Sequence, residues 1–196
     1  MTTPSHPLDL QGTRLILRVM TPEFMQASID GDLVLAEQLL GAQLPEIWPD
    51  NSALLELRLR QLQAEPDLQP WLLRAICLRE TNVMIGYIGF HTRPDPHYLQ
   101  QWLRDAVEFG FEIFPAFRRH RYATEAAQVL MRWARSTQGI NRFVLTIAPD
   151  NQPSQALATG LGFKWIGTHL DVVDGLEDVL VLDYAATLAA TVLPSS

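Results

Sequence analysis

Apolar and polar positions along the chain change period several times, and each change marks an element. Leu15, Ile16 and Leu17 sit together between Arg14 and Arg18, a short apolar run that predicts a strand. Thr21-Pro22-Glu23 then supplies an N-cap, a first-turn proline and an acid near the positive helix end, which start a helix. Gly31-Asp32 stops it and caps a second helix, with Val34, Leu35, Leu39 and Leu40 on one side before Gly41. After a loop holding Trp48-Pro49, Asn51 or Ser52 caps a third helix that carries Leu55, Leu59 and Leu62 on one stripe and ends at Glu65-Pro66.

From Trp71 the period shortens. Trp71 to Leu78 and Val83 to Phe90 are apolar on both faces around the polar turn Glu80-Thr81-Asn82, which predicts an antiparallel hairpin deep in a sheet. Tyr98 to Leu103, with Trp102, reads as a short helix or a long connection. Val107, Phe109, Phe111 and Ile113 alternate with Glu108, Gly110, Glu112 and Phe114 in a further strand ended by Pro115. The longest helix is predicted over Arg118 to Gln138, with Tyr122, Ala126, Val129, Leu130 and Trp133 on one face and Gly139 as its stop. Arg142 to Ala148 reads as a strand, Pro153 to Leu161 as a short helix and Phe163 to Gly167 as a strand. Val179 to Tyr184 pairs in a hairpin around Asp174-Gly175. This succession predicts a mixed α/β sheet with helices on both faces, in one domain over 1–196 with its core about 12–185 and frayed tails at Thr2 to Pro7 and Pro194 to Ser196.

Composition narrows the chemistry. A length of 196 residues with 47% apolar and 19% charged residues is ordinary globular content. The net charge of −7 disfavours nucleic-acid binding by bulk attraction, so any anion site is local. The single cysteine, Cys77, excludes an internal disulfide and a thiolate zinc site. No apolar run approaches membrane-spanning length and the N-terminus lacks a targeting pattern, so no membrane partner and a cytoplasmic location are expected. Walker, dinucleotide and nucleophile-elbow patterns are missing from the sequence, as is a paired-histidine metal motif, and no metal is expected.

The informative stretch is the start of the long helix. Arg118, Arg119, His120 and Arg121 gather at the end where the helix dipole is positive, a placement that repels cations. Either a bound anion offsets the repulsion, held by free N–H groups and guanidinium forks, or the turn is a solvated basic surface screened by water and Glu125.

Here the sequence resembles the GNAT N-acyltransferases, and within them the ribosomal-protein N-terminal acetyltransferases. The family signature, Arg or Gln, two residues, Gly, one residue, then Gly or Ala, is matched at Arg118, Arg121 and Ala123, with Arg121 standing where glycine is usual. Thr13 to Arg18, Ile85 to Phe90 and Glu108 to Phe111 resemble the family's opening, third and fourth strands. Asn151-Gln152-Pro153-Ser154 and Leu161-Gly162-Phe163 resemble its later landmarks. The resemblance implies a GNAT-type, mostly antiparallel twisted sheet whose fourth and fifth strands splay apart. It implies an acetyl-CoA-dependent N-acetyltransferase that moves an acetyl group to a primary amine, a peptide N-terminus or a small amine, by direct attack in a ternary complex. The alternative is a non-catalytic CoA or metabolite sensor of the same fold, suggested by Arg121 and by Ala158 at the usual place of the tyrosine acid.

The resemblance also implies roles. Backbone near Ile113 binds the pantetheine arm, and the pyrophosphate sits on Arg118 and the amides of Arg119, His120, Arg121, Tyr122, Ala123 and Thr124. Asn151 holds the cofactor's arm and Ser154 fixes that turn. The amine needs a base, and Glu108 is the candidate; Glu112, about 13 Å along the same strand face, is too far to cooperate with it. Because an unperturbed carboxylate of pKa ~4.3 is a weak base toward ammonium, the proton leaves through water. His91 and Trp48 are the candidates for the acceptor pocket. The acceptor's identity is open, and so is a homodimer.

Overall fold

The computed structural model describes residues 6–171 and 175–184. Among the described residues eight strands and five α-helices form, and the chain divides into two compact units, Met1–Phe90 with Phe111–Leu130 and His91–Gly110 with Met131–Ser196.

In the first unit, β1 (Leu10–Gln11), β2 (Leu15–Val19), β3 (Arg74–Leu78) and β4 (Met84–Phe90) pair antiparallel in that order, with Leu15 opposite Leu78 and Ala75 opposite Tyr87. The expected hairpin of β3 and β4 is present, its turn closed by Asn82 at φ +56°. Trp71 to Leu73 lie before the strand, although the sequence pattern includes them; Trp71 instead packs edge-on against Phe90 at 5.4 Å. Two buried arginines hold the chain start down. Arg74 donates to the carbonyls of Leu8 and Pro70, and Arg18 pairs with Asp9 at 3.7 Å and donates to Asn82. Burial lowers Arg74 to about 10.

Three helices follow their sequence signals closely. α1 (Pro22–Ile29) starts at Thr21, whose hydroxyl accepts the Phe24 N–H, and α2 (Leu33–Leu40) starts at Asp32, whose carboxylate accepts the Leu35 N–H. α3 (Ser52–Ala64) buries Leu55, Leu59 and Leu62 as expected; Asn51 precedes it without a side-chain cap. The apolar side expected for α2 is corrected. Ala36 and Leu40 are buried, one turn apart, whereas Val34, Leu35 and Leu39 are exposed. Four apolar neighbours in sequence exceed one helix face, and the small Ala36 is what allows close packing.

The core of this unit gathers Phe24, Met25, Leu55, Leu72 and Phe114 around Trp48. Trp48 is 1% exposed, stacks on Phe24 at 5.7 Å and donates its indole N–H to the Ser28 hydroxyl at 3.0 Å. Cys77 is buried here too, and burial pushes its thiol up to about 12.

β5 (Ala106–Ile113) contributes Phe111 onward to the first unit and Ala106–Gly110 to the second. In the second unit the order is β5, β6 (Arg142–Ile147), β8 (Gly175–Asp183), β7 (Lys164–Asp171). The β5–β6 ladder is parallel and covers three rungs, Ala106 to Glu108 against Arg142 to Val144, which accords with strands expected to part. β6–β8 and β7–β8 are antiparallel. The last hairpin is longer than its apolar signal, because the alternation of exposed and half-buried residues in β7 hides a strand that runs on to Asp171. Asp174 of its expected turn, and the two expected tails except for His6 and Pro7, lie outside the described residues. Tyr98 to Leu103 contains a single 3-10 turn, His97–Leu99. α5 (Gln152–Leu161) is capped by Asn151.

The longest helix, α4 (Tyr122–Gln138), begins four residues later than predicted. Arg119 and Arg121 stand at φ +68° and +62°, the left-handed region, and this breaks the i to i−4 hydrogen-bond pattern until Tyr122.

Gly86 is fixed by a close approach within the first unit. A Cβ there would lie 2.0 Å from the Glu112 carbonyl oxygen. Gly86→Ala is therefore expected to cost about 3 kcal/mol, a fall in Tm of roughly 6–12 °C in thermal unfolding; an unchanged Tm shows that the β4 and β5 backbones separate freely.

Candidate functional site

The second unit contains a cavity of about 410 Å³, and the buried carboxylate of Glu108 faces it. Glu108 is 5% exposed, unlike the solvent-facing charge that an alternating strand suggests. Both its oxygens accept hydrogen bonds. Thr146 on β6 donates to Oε1 at 2.5 Å, Tyr98 donates to Oε2 at 2.7 Å, and His91 Nδ1 lies 3.3 Å from Oε2. Burial alone pushes this carboxyl upward, but the contacts from His91, Thr146 and Tyr98 outweigh it and hold the group below its ordinary value.

Each donor is positioned by the fold. His91 follows β4, and its N–H donates to the Glu108 carbonyl, so backbone and side chain tie the same two residues together. Gly110 makes room for the imidazole, since a Cβ there would come 2.8 Å from Nε2. Tyr98 belongs to a connection pinned by Asp95, which accepts the Asp105 N–H and the Gln100 amide, with Leu99 buried as its anchor. Trp102 lines the same cavity, as do His169, Asp171 and Glu177 of the β7–β8 hairpin. The sequence singled out Glu108 and His91, and the structure joins them. It gave no sign of Thr146, His169, Asp171 or Glu177; the one available signal was a lone threonine in the apolar strand RFVLTI.

Trp48 is in the core of the first unit and presents no accessible wall. Glu112, also in that unit, accepts the Tyr87 hydroxyl at 2.7 Å and lies 3.8 Å from Arg118. Burial, then the Glu112 contact, pushes the Tyr87 phenol up.

The arginine-rich turn of the first unit is a shaped loop. Its amides from Arg119 to Thr124 reach no acceptor among the described residues, and the next, Glu125, donates to the Arg121 carbonyl. Two of these positions, Arg119 and Arg121, are left-handed, a backbone sign that recurs in anion-binding loops. Arg118 is committed elsewhere, donating to the Ile113 carbonyl at 2.8 Å. His120 Nδ1 lies 2.8 Å from the Arg118 carbonyl oxygen, and its ring stacks on Tyr122 at 5.4 Å.

Glu125, which one of the two readings of the basic turn had screening its arginines, pairs with Arg14. Its carboxylate takes the Arg14 N–H and guanidinium, both at 2.7 Å, while Arg14 also donates to the His120 carbonyl and lies over the Tyr122 ring at 4.7 Å. Burial raises Glu125, and these contacts with Arg14 overcome it and hold the carboxyl low. Arg14 thus fixes the loop to the helix start.

Asn151 accepts the Ser154 N–H at 3.3 Å and so caps α5. Ala158, where the family has its tyrosine, is fully buried, and its carbonyl accepts the Phe163 N–H.

The chain was compared with known proteins. The family model of the acetyltransferase (GNAT) domain matches residues 14–164. An uncharacterised N-acetyltransferase of Bacillus subtilis strain 168, YoaA, is 30% identical over 86 residues, 44% of this chain and 45% of that protein. The chain spans about half the length of the curated relatives it matches. The solved ribosomal-protein-S5-alanine acetyltransferase from Vibrio fischeri superposes with a TM-score of 0.59 at 13% identity, covering 90% of this chain and 97% of that one. The microcin C7 self-immunity acetyltransferase MccE, solved with acetyl-CoA and AMP, gives 0.58 at 16%, covering 93% and 97%. At these identities the likeness is one of fold. With the family model running through both units over residues 14–164, the chain belongs to the acetyltransferase (GNAT) domain family.

Proposed function

We propose that the protein transfers an acetyl group from acetyl-CoA to a primary amine. The observation that carries this reading is the run of six acceptor-free amides, Arg119 to Thr124, beneath exposed arginines. Among the described residues no acceptor takes these six amides, whereas a diphosphate matches the loop's charge and its donors. A structural neighbour solved with acetyl-CoA supports the choice of anion.

Acetyl-CoA supplies an acyl group already activated as a thioester. The chain's part is to bind, orient and deprotonate. Arg119 and Arg121 add charge around the amides, and Arg118 braces the Ile113 carbonyl on the strand side. In the second unit, Glu108 draws the acceptor's ammonium into the cavity as a fixed anion. Held low by its three donors, Glu108 is a weak proton acceptor, so it works with His91 and passes the proton to water. The amine then attacks the thioester carbonyl, the C–N bond forms, the C–S bond breaks, and the thiolate takes, through water, the second proton that the amine nitrogen sheds. Ala158 supplies none, and a thiol of pKa ~8.5 leaves without a dedicated acid.

Burial of Ala158 favours a second reading, a CoA-binding sensor without turnover. Release of free thiol from acetyl-CoA in the presence of amines separates the two. Calorimetric titration is expected to show acetyl-CoA binding that Arg119→Glu weakens at least about tenfold. No heat at millimolar ligand overturns both readings.

Glu108→Gln is expected to lower kcat/KM by roughly 10²–10⁴-fold with acetyl-CoA affinity intact; full turnover at every pH removes Glu108 from the mechanism. The sign of its pH dependence follows from the lowered carboxyl. The anion is complete above the ordinary value of 4.5 and is lost only as pH falls through the lower folded value. Tyr98→Phe removes one donor and so moves the acid limb of kcat/KM to higher pH, which a pH–rate profile measures.

A further inference from the structure

Glu125 is the acidic residue in the first turn of α4, directly after the six amides proposed to take the diphosphate. A carboxylate at a helix start is drawn to the same N–H groups as any other anion. Left unpaired, it competes with a diphosphate for those amides and repels it. The site therefore needs this charge cancelled, and the residue that cancels it lies 111 positions away in the chain.

Arg14, just ahead of β2, meets Glu125 at both oxygens. Its backbone N–H donates to Oε1 and its guanidinium Nε to Oε2, each at 2.7 Å, and the Leu15 N–H donates to the same carboxylate. Gly12 lets the chain come this close, since a Cβ there would lie 3.0 Å from Glu125 Oε1 and 3.2 Å from Val129 Cγ2. The Arg14 main chain is held from its other side by Arg79, whose N–H donates to the Arg14 carbonyl. Two further contacts aim the guanidinium. Its Nη1 donates to the His120 carbonyl at 3.1 Å, and the group lies over the Tyr122 ring at 4.7 Å. His120 and Tyr122 both belong to the amide run itself. Among the described residues, the ion pair that Glu125 makes is with Arg14, and Arg119 and Arg121 enter none.

From this we infer that Arg14 is a positioning residue for the cofactor: it takes the Glu125 charge out of the anion site, so that the loop's amides and arginines meet a diphosphate without an internal rival. This rests on the proposed binding of acetyl-CoA and adds to that site a residue that acts through Glu125. A brace that only held the backbone in place gives the same loop whether or not Glu125 is charged. A residue that cancels a charge becomes dispensable once the charge is removed.

The test is a double-substitution cycle on acetyl-CoA affinity, read by calorimetric titration, with thermal unfolding of each variant to show that it folds. Arg14→Gln keeps a donor for the His120 carbonyl but drops the charge, and it is expected to weaken binding about five- to tenfold. Glu125→Gln alone is expected to leave the affinity within about twofold. Added to Arg14→Gln, it is expected to bring the affinity back to within about twofold of the unsubstituted protein. The loss in Arg14→Gln is also expected to shrink as salt rises from about 0.05 M to about 0.5 M, because repulsion between charges near the surface is screened. Unchanged affinity in Arg14→Gln, or a loss that neither Glu125→Gln nor salt recovers, makes Arg14 a brace and overturns the inference while the transfer reading stands. No binding of acetyl-CoA by the unsubstituted protein overturns that reading and the inference together.

Discussion

A carboxylate removed from water must be compensated by donors, and in the second unit that requirement organises everything around Glu108. Thr146, Tyr98 and His91 come from three separate stretches of chain and meet at its two oxygens. Each is in turn held in place. Thr146 sits in a β6–β8 ladder, Tyr98 in a connection tied by Asp95, and His91 against the bare backbone of Gly110. The donors surround the anion, and the cavity that it lines lies beside them. Satisfying the charge and shaping the site are one arrangement.

The arginine-rich loop of the first unit meets the opposite problem, a surplus of donors. Two non-glycine residues in left-handed conformation store local strain, and the surrounding contacts hold it. Arg14 is the restraint: it reaches the helix start through Glu125, the loop through the His120 carbonyl, and the Tyr122 ring through its face. The backbone is thereby held in one conformation. Arg121 shows how a chain departs from a glycine pattern without losing the turn that glycine normally provides.

How far the sequence revealed this depended on the range of each signal. Thr21 and Asp32 were legible as caps because a cap is a contact three residues long; Asn151, read only for the cofactor's arm, proved to be one as well. The apolar stripe of α3 was legible because its period is local. α2 misled, since its phase is set by tertiary packing of Ala36 and Leu40 rather than by the larger residues beside them. The basic turn was visible as a charge anomaly, but its left-handed backbone was not, because arginine carries no mark of positive φ. Glu108 and His91 were found through strand position and family likeness. Thr146, Glu177 and Asp171 escaped because only pairing between distant strands brings them to the same cavity. Trp48 was read as a pocket wall, and burial against Phe24 and Ser28 makes it core.

Cys77 has a consequence of a different kind. The sulfur is wholly enclosed by the first unit's core, and burial favours its protonated form. Alkylating labels and mild oxidants meet no accessible thiolate on the folded chain. Any mercaptan that a colorimetric reagent captures from a reaction mixture therefore originates in the coenzyme, and slow labelling of the polypeptide becomes a clock for its unfolding.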